Sequence, residues 1–484
     1  MRAGEDMNFS DLRKKIEATH IECGQITDIV LMEEGSNAAL PGSTAPEHIK
    51  VSVVCKPEAG SNIRIEVWLP SREWNGDCMG TGNGGAAGEV AAVMMIGPLK
   101  LGFAVANTDM GTSAGPDSGI GNKAVWKDFG YRATHLMTVV AKSIIENCYG
   151  LPPKHSYFSG CSTGGQQALM EAQRYPEDYD GILASAPAYD RTNLHMGFLW
   201  DWLAVNAGKP GMFTAEDEVK LVKTILDQCG AEGGRRPGDD FMYHPHQIKM
   251  TPHVLEKAEL RSKQIDALMR IYTGAIDPVT GKRIYEPTVI PGSENCGMSL
   301  VHRCEHPQFA QAYFYIFRWL FGADFDFTKF DFHADAERVH QELDVYLNAN
   351  QTDISAFQDR GGKLLLIHGT ADPIIPYTSS TRYYEQVRKE MGDVDSFFRL
   401  FLAPGMAHTL GGPGVQDIAF GLPATPKDSK HLAILALKEW VENGVAPDAL
   451  YPVSFCDNNP VNGFLPDGVA YEREIHPYTA VVEG

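Results

Sequence analysis

The run Gly160-Cys161-Ser162-Thr163-Gly164 sets a serine between glycines where a strand pattern (SYFSG) opens directly into a helix pattern (STGGQQALMEAQRYP). That context suits a nucleophile elbow, because glycines admit a tight, strained turn and the helix N-terminus aims backbone N–H groups at a developing oxyanion. A serine at its free pKa is a weak nucleophile, so it needs a base and a group to orient that base. Asp372, in HGTADPIIP, and His408, in APGMAHT, each follow an apolar strand pattern and would sit at the carboxyl edge of one sheet. The chain order Ser, Asp, His is that of α/β-hydrolases and differs from the other two common triad orders. The chemistry expected is acyl transfer, with Ser162 as nucleophile, His408 as base and Asp372 as orienting acid. Singly, Asp372 before proline reads as a turn residue and His408 as a loop histidine; three strand ends in the right order favour the triad.

Acyl transfer also needs two donors for the oxyanion. The backbone N–H of Thr163, directly after the serine, is the expected first. Gly84 or Gly85, in the run Gly82-Asn83-Gly84-Gly85, is the expected second, since a residue without Cβ lets the main chain approach an ester closely. A plain tight turn is the alternative for that loop. A dinucleotide fingerprint is not, because the G-x-G-x-x-G frame and its downstream acid are missing.

These residues must be carried by a sheet. Two β-branched runs in 49–70 predict a hairpin at a sheet edge, 101–108 a short buried strand, and 130–149 a helix with apolar residues at 3.6-residue spacing. Strand, helix and strand then follow through 156–188, which implies a parallel sheet buried on both faces. Between about 190 and 360 strands nearly vanish and helical periods dominate, 254–272 among them. The alternation returns with GGKLLLIHGTADP, a helix over 379–392, the strand FFRLFLAPGMAH and a helix in HLAILALKEWVENG. The reading is an α/β core in two parts, 1–189 and 361–484, with 190–360 inserted.

Composition bounds the partners. The 484 residues are 43% hydrophobic and 21% charged, ordinary for a folded globular chain, and 42 basic against 62 acidic residues leave a net charge of −20. Without a basic patch, such a chain repels nucleic acid and anionic membranes, and no apolar run is long enough to span a bilayer. A small substrate, neutral or weakly charged, is expected. The nine cysteines are widely spaced with no C-x-x-C, which gives little support to a metal site or redox pair.

Beyond these signals, the chain resembles the tannase and feruloyl esterase family of serine esterases over nearly its whole length. The stretches that carry the resemblance are WNGDCMGTGNGGAAG, DFGYRATH, SYFSGCSTGGQQALMEAQRYPEDYDGILASAPA, DPVTGKRIY, DISAFQDRGGKLLLIHGTADPIIP, YYEQVRKEMG and FFRLFLAPGMAHTLGGPG. The resemblance implies an α/β-hydrolase with a mostly parallel central sheet and a large lid at 190–360. It also implies the same triad, and esters of aromatic acids of hydroxycinnamic type as substrates. Galloyl esters or terephthalate monoesters are the alternative substrates, and an inactive hydrolase fold used for binding is the alternative of another class. Tyr313, Phe314, Phe317, Trp319 and Phe321 are candidates to meet an aromatic acyl group, with a packed lid helix as the plainer reading. His302, Arg303 and His306 are candidates for a phenol or carboxylate, with solvated surface as theirs.

Two departures from the family pattern stand out. The family usually places a cysteine after the catalytic histidine, bridged to the cysteine before the serine, whereas Thr409 stands there and leaves Cys161 as a thiol. With no leader pattern at the start, this points to a reducing, cytoplasmic setting, or to a secreted or periplasmic one if a leader has been trimmed. The family's lid also carries an acidic calcium loop, whereas this chain reads Asp227-Gln228-Cys229-Gly230-Ala231-Glu232-Gly233-Gly234-Arg235-Arg236, with arginines where carboxylates are wanted. No cofactor and no metal are expected. Oligomeric state has no signature.

Overall fold

The protein is described by a computed structural model covering residues 8–36, 38–40, 43–206, 212–302, 313–456 and 468–479. Nine strands form the central sheet: β1 (Gly24–Met32), β2 (His48–Cys55), β3 (Ile63–Pro70), β4 (Cys78–Thr81), β5 (Ala104–Thr108), β6 (Ser156–Cys161), β7 (Gly181–Ser185), β8 (Lys363–Gly369) and β9 (Phe398–Ala403). Their spatial order is β1-β2-β3-β5-β4-β6-β7-β8-β9. The first three pair antiparallel up to β5, and from β5 onward every pairing is parallel.

The helices that position the site are α1 (Ala133–Tyr149), α2 (Thr163–Arg174), α3 (Arg191–Asn206), α4 (Ala215–Cys229), α5 (Ser262–Thr273), α6 (Tyr315–Phe321), α7 (Ala334–Leu347), α8 (Tyr377–Met391) and α9 (Ala433–Asn443). Parallel strands need crossovers, and helices supply them, so both sheet faces are covered. The strand β8 shows the result at single residues. Leu364 and Leu366 pack into the core on one face, while Leu365 and Ile367 pack into a second cluster with Leu437 and Trp440 of α9 on the other. This two-sided burial is why KLLLIHG reads as an unbroken apolar run, each Leu or Ile contributing about 1.5–3 kcal/mol.

Among the described residues between β7 and β8 no strand joins this sheet, and the one ladder there is the short pair Ala275–Ile276 with Arg283–Tyr285. Residues of that stretch form a core of their own around Leu221, Ile225, Leu268 and Ile271. Among the described residues no helix is long and apolar enough to cross a membrane.

Two expectations about elements need correction. The 49–70 hairpin exists as β2 and β3, but it is interior, because β1 pairs outside β2. The sequence GQITDIVLM hides this edge strand because only Ile29 in it is buried, so it lacks alternation. The 254–272 period is two helices, Pro252–Glu256 and α5, broken where Glu259 takes φ +58° and Gln264 caps the backbone N–H of Arg261. Hydrophobic periodicity continues across such a break and conceals it.

Candidate active site

Ser162 stands between the end of β6 and the first residue of α2, with φ +61° and ψ −118°. A non-glycine residue in the left-handed region is strained and must be held by its surroundings. The hold is visible: Ser162 N–H donates to Ser185 O (3.0 Å) on the next strand, and Ser162 O accepts from Gln166 N (3.1 Å) and Ala188 N (3.0 Å). The flanking glycines are a steric requirement. A Cβ on Gly160 would lie 2.4 Å from Gly164 O, and one on Gly165 2.7 Å from Ser185 O, against backbone that cannot give.

Asp372 and His408 follow the carboxyl ends of β8 and β9, which lie side by side, two and three strands beyond β6. His408 Nδ1 lies 2.6 Å from Asp372 Oδ2. Asp372 is wholly buried and accepts further bonds from Ile374 N (2.9 Å) and Ile375 N (3.0 Å) on Oδ1. Burial alone would raise its carboxyl, but the charge of His408 and hydrogen bonds from His368 and His408 outweigh it and hold the group well below the ordinary carboxylate range. An ionised carboxylate only accepts, so Nδ1 of His408 carries the proton of that bond, and the tautomer that can serve as base is the one with its lone pair on Nε2. His408 is shielded, with 7% of its side chain exposed.

A second histidine, unremarked in the sequence, completes this cluster. His368, inside the apolar run of β8, places Nε2 3.2 Å from Asp372 Oδ2 and 2.9 Å from Ile375 O, and Nδ1 2.7 Å from Ser380 Oγ. Two acceptors at Nε2 require the proton there. A buried histidine in a strand could have prompted a search for its partner, but nothing in the sequence says which group that is.

The glycine loop after β4 is latched to α2. Gly164 N donates to Asn83 O (2.7 Å), Asn83 N to Gln167 Oε1 (2.8 Å), and Thr163 Oγ1 to Gly85 O (2.7 Å). The approach is backbone to backbone, since a Cβ on Gly82 would sit 2.4 Å from Gly164 Cα. Gly84 and Gly85 have nothing within 4 Å of where a Cβ would stand, and Gly85 takes φ +53°. Thr163, in the first turn of α2, has no intrahelical acceptor for its N–H. Thr163 and Gly84–Gly85 thus lie on either side of one seam beside Ser162.

Cys161 meets Thr409, their side chains being hydrogen-bonded, so the residue before Ser162 touches the residue after His408. Burial pushes the Cys161 thiol up to about 11, which keeps it protonated at neutral pH. Thr409 adopts φ +67°, unusual for a β-branched residue. The eight described cysteines carry no disulfide, and Cys304 lies outside the described residues.

In the loop compared with a calcium site, Asp227 is engaged by Lys223 (2.5 Å) and Arg235 (3.6 Å). Among the described residues two other groups have metal-like spacing: Asp77, His155 and Glu442, and His135, Glu171 and Asp178. The first is bridged by the ammonium of Lys438. In the second, burial and the neighbouring Asp178 push the Glu171 carboxyl far up. Of the candidate aromatics, Phe314, Phe317 and Trp319 are packed inside, Trp319 edge-on to Phe129 (5.2 Å), while Phe321 stacks on Phe325 (4.5 Å) and Tyr313 meets Phe198 (5.0 Å). His302 is taken by Glu218 at 2.6 Å, and Arg303 and His306 lie outside the described residues.

With this geometry in hand, comparison with known proteins identifies the family. The model of the tannase and feruloyl esterase family matches residues 49–463. The chain belongs to that family. Among its relatives are an uncharacterised esterase of Xanthomonas campestris, 31% identical over 87% of this chain and 80% of that one, and a probable feruloyl esterase B-2 of Aspergillus flavus, 29% identical over 89% and 86%. The structure superposes on that of feruloyl esterase B from Aspergillus oryzae with a TM-score of 0.83, at 25% identity and 96% coverage of both chains. The fold is also shared with the tannin acyl hydrolase of Aspergillus niger, with a TM-score of 0.71, 19% identity and 97% and 92% coverage. The chain is a carboxylic ester hydrolase with the α/β-hydrolase fold.

Proposed function

We propose that this esterase hydrolyses esters of aromatic, hydroxycinnamic-type acids through an acyl-enzyme on Ser162. Ser162 Oγ attacks the ester carbonyl while His408 Nε2 takes its proton, and the imidazolium that forms is stabilised by Asp372. The oxyanion is met by the N–H of Thr163 and of Gly84 or Gly85. Collapse breaks the bond to the alcohol, which leaves with the proton from His408. Water then adds to the acyl-enzyme with His408 as base, releasing the acid and restoring the serine.

The observation that carries this reading is the latch between the elbow and the Asp372–His408 pair, made by Cys161 and Thr409. Residues 190–360 are read as the lid, with substrate-facing surface drawn from that segment. Hydroxycinnamate is preferred to gallate because the likeness to a feruloyl esterase (25% identity, TM-score 0.83) is greater than that to the tannin acyl hydrolase (19%, 0.71). No resident calcium is proposed, since Asp227 is already paired with Lys223 and Arg235, and EDTA is expected to leave activity and melting temperature unchanged. A reducing compartment is proposed from the thiol at Cys161.

The test is a hydrolysis panel of methyl ferulate, chlorogenate, methyl gallate, mono(2-hydroxyethyl) terephthalate and p-nitrophenyl acetate, run with wild type and Ser162→Ala. The expected result is a preference of roughly a hundredfold for the hydroxycinnamates, lost in the variant. Ser162→Ala retaining more than about a hundredth of the rate would remove Ser162 as nucleophile; a preference for gallate or terephthalate would reassign the acid.

A further inference from the structure

Arg191 opens α3 with its side chain at 2% exposure, and its hydrogen-bond partners among the described residues are all neutral. A guanidinium stays charged and only donates, and burying it without a counter-ion is costly. Such a cost is retained where the charge has work to do. Nη1 lies 2.6 Å from Tyr315 Oη, and Nη2 lies 3.0 Å from both Thr163 Oγ1 and Gln166 Oε1. Each hydroxyl accepts from the cation and so turns its own hydrogen elsewhere. Both turn to the same atom, the carbonyl oxygen of Gly85, at 2.7 Å from Thr163 and 3.3 Å from Tyr315.

The result is a closed ring from one buried cation through two hydroxyls to one carbonyl. It joins the residue following Ser162 to the glycine loop across the seam. Phe129 covers the guanidinium, its ring centroid 5.1 Å from Cζ, and shuts out water that would otherwise screen the charge. We propose that Arg191 is a positioning residue of the oxyanion hole, locking Thr163 and Gly85 in register and holding a positive charge, unanswered by its hydrogen-bond partners among the described residues, that the oxyanion of the tetrahedral intermediate meets. The inference rests on the assignment of Ser162 as nucleophile.

A merely structural residue would affect folding or KM, whereas this role acts on the charged intermediate. The experiment compares full-length wild type, Arg191→Met, Arg191→Lys and Tyr315→Phe for kcat and KM on methyl ferulate and p-nitrophenyl acetate. It also measures inhibition by phenylboronic acid, which adds to a serine as an anionic tetrahedral adduct, with thermal melting to establish folding. Arg191→Met is expected to lower kcat about 10- to 100-fold, less than loss of an oxyanion donor itself, with KM within about threefold. Boronate affinity should fall by the same factor. Arg191→Lys should recover part of the loss by restoring charge without the fork, and Tyr315→Phe should lose about three- to tenfold. Wild-type kcat and boronate affinity in folded Arg191→Met would overturn the inference. Should that variant not fold, the same result in Arg191→Lys and Tyr315→Phe together would overturn it. If instead Ser162→Ala hydrolyses the substrates as wild type does, the nucleophile assignment falls and the inference with it.

Discussion

Replacing Asp372 by asparagine keeps the shape of the side chain and removes its charge where donors converge from two directions. Oδ1 accepts from the backbone N–H groups of Ile374 (2.9 Å) and Ile375 (3.0 Å), and Oδ2 from His408 Nδ1 (2.6 Å) and His368 Nε2 (3.2 Å). An amide has a single oxygen. With that oxygen kept toward the backbone, the NH2 group faces both imidazoles, so His408 must accept at Nδ1 and carry its proton on Nε2, the atom that should receive the proton of the serine. Restoring the working tautomer forfeits the native pair of charge-assisted bonds, at about 1.5–3 kcal/mol each, or about 3–6 kcal/mol together. The expected loss in kcat is therefore roughly 10²- to 10⁴-fold, in line with the size of the same substitution in serine protease triads. The assay is kcat and KM on p-nitrophenyl acetate with thermal melting in parallel. A folded variant that keeps more than a tenth of the wild-type kcat would refute the tautomer argument. The stability sign is fixed as well. The folded carboxyl titrates below its ordinary value of 3.8, so its contribution is complete above that pH and is lost as pH falls through the lower folded value. The asparagine variant should lack that acid limb.

Thr409→Cys should close a disulfide with Cys161 on oxidation, because the two side chains are in contact, and should raise the melting temperature without loss of esterase activity; thiol titration showing no consumption of the pair under oxidant would count against it. Gly160→Ala should collapse the elbow, since its Cβ would meet Gly164 O at 2.4 Å, and fluorophosphonate labelling at the wild-type rate in that variant would contradict the steric account. Asp201 is pushed up to about 7 by burial, against the lowering pull of the Thr288 hydroxyl and Arg270. Its folded pKa exceeds the unfolded one, so its contribution is full at low pH and lost as pH rises through about 7. Between about pH 4 and pH 7 the melting temperature of wild type should fall with pH relative to that of Asp201→Asn, and parallel curves would remove this group as the cause.

The elbow and the two strand ends were legible because each depends on local constraints. Gly160 is demanded by a backbone clash within five residues, its Cβ meeting Gly164 O at 2.4 Å, and KLLLIHG is apolar throughout because both of its faces are covered. The strand β1 and the break at Lys257–Arg261 were not legible, one for want of buried residues to alternate, the other because periodicity runs on across a cap. His368 and Arg191 escaped for a different reason. Their roles lie in partners that only packing brings to them, Ser380 and Asp372 for one, Thr163 and Tyr315 for the other, and residue type alone does not say what a buried polar group faces.

From the amino-acid order alone came the fold class, the family resemblance and the three residues expected to do the chemistry, because glycine spacing, strand period and chain order are properties of neighbours. The tertiary structure decided how those residues are tuned. It set four donors around one carboxylate, brought Cys161 against Thr409, and placed behind the oxyanion loop a buried cation whose hydrogen-bond partners among the described residues are neutral. Those are consequences of burial, where a hydrogen bond or a charge takes its worth from what excludes water around it, and burial is decided only when distant segments pack.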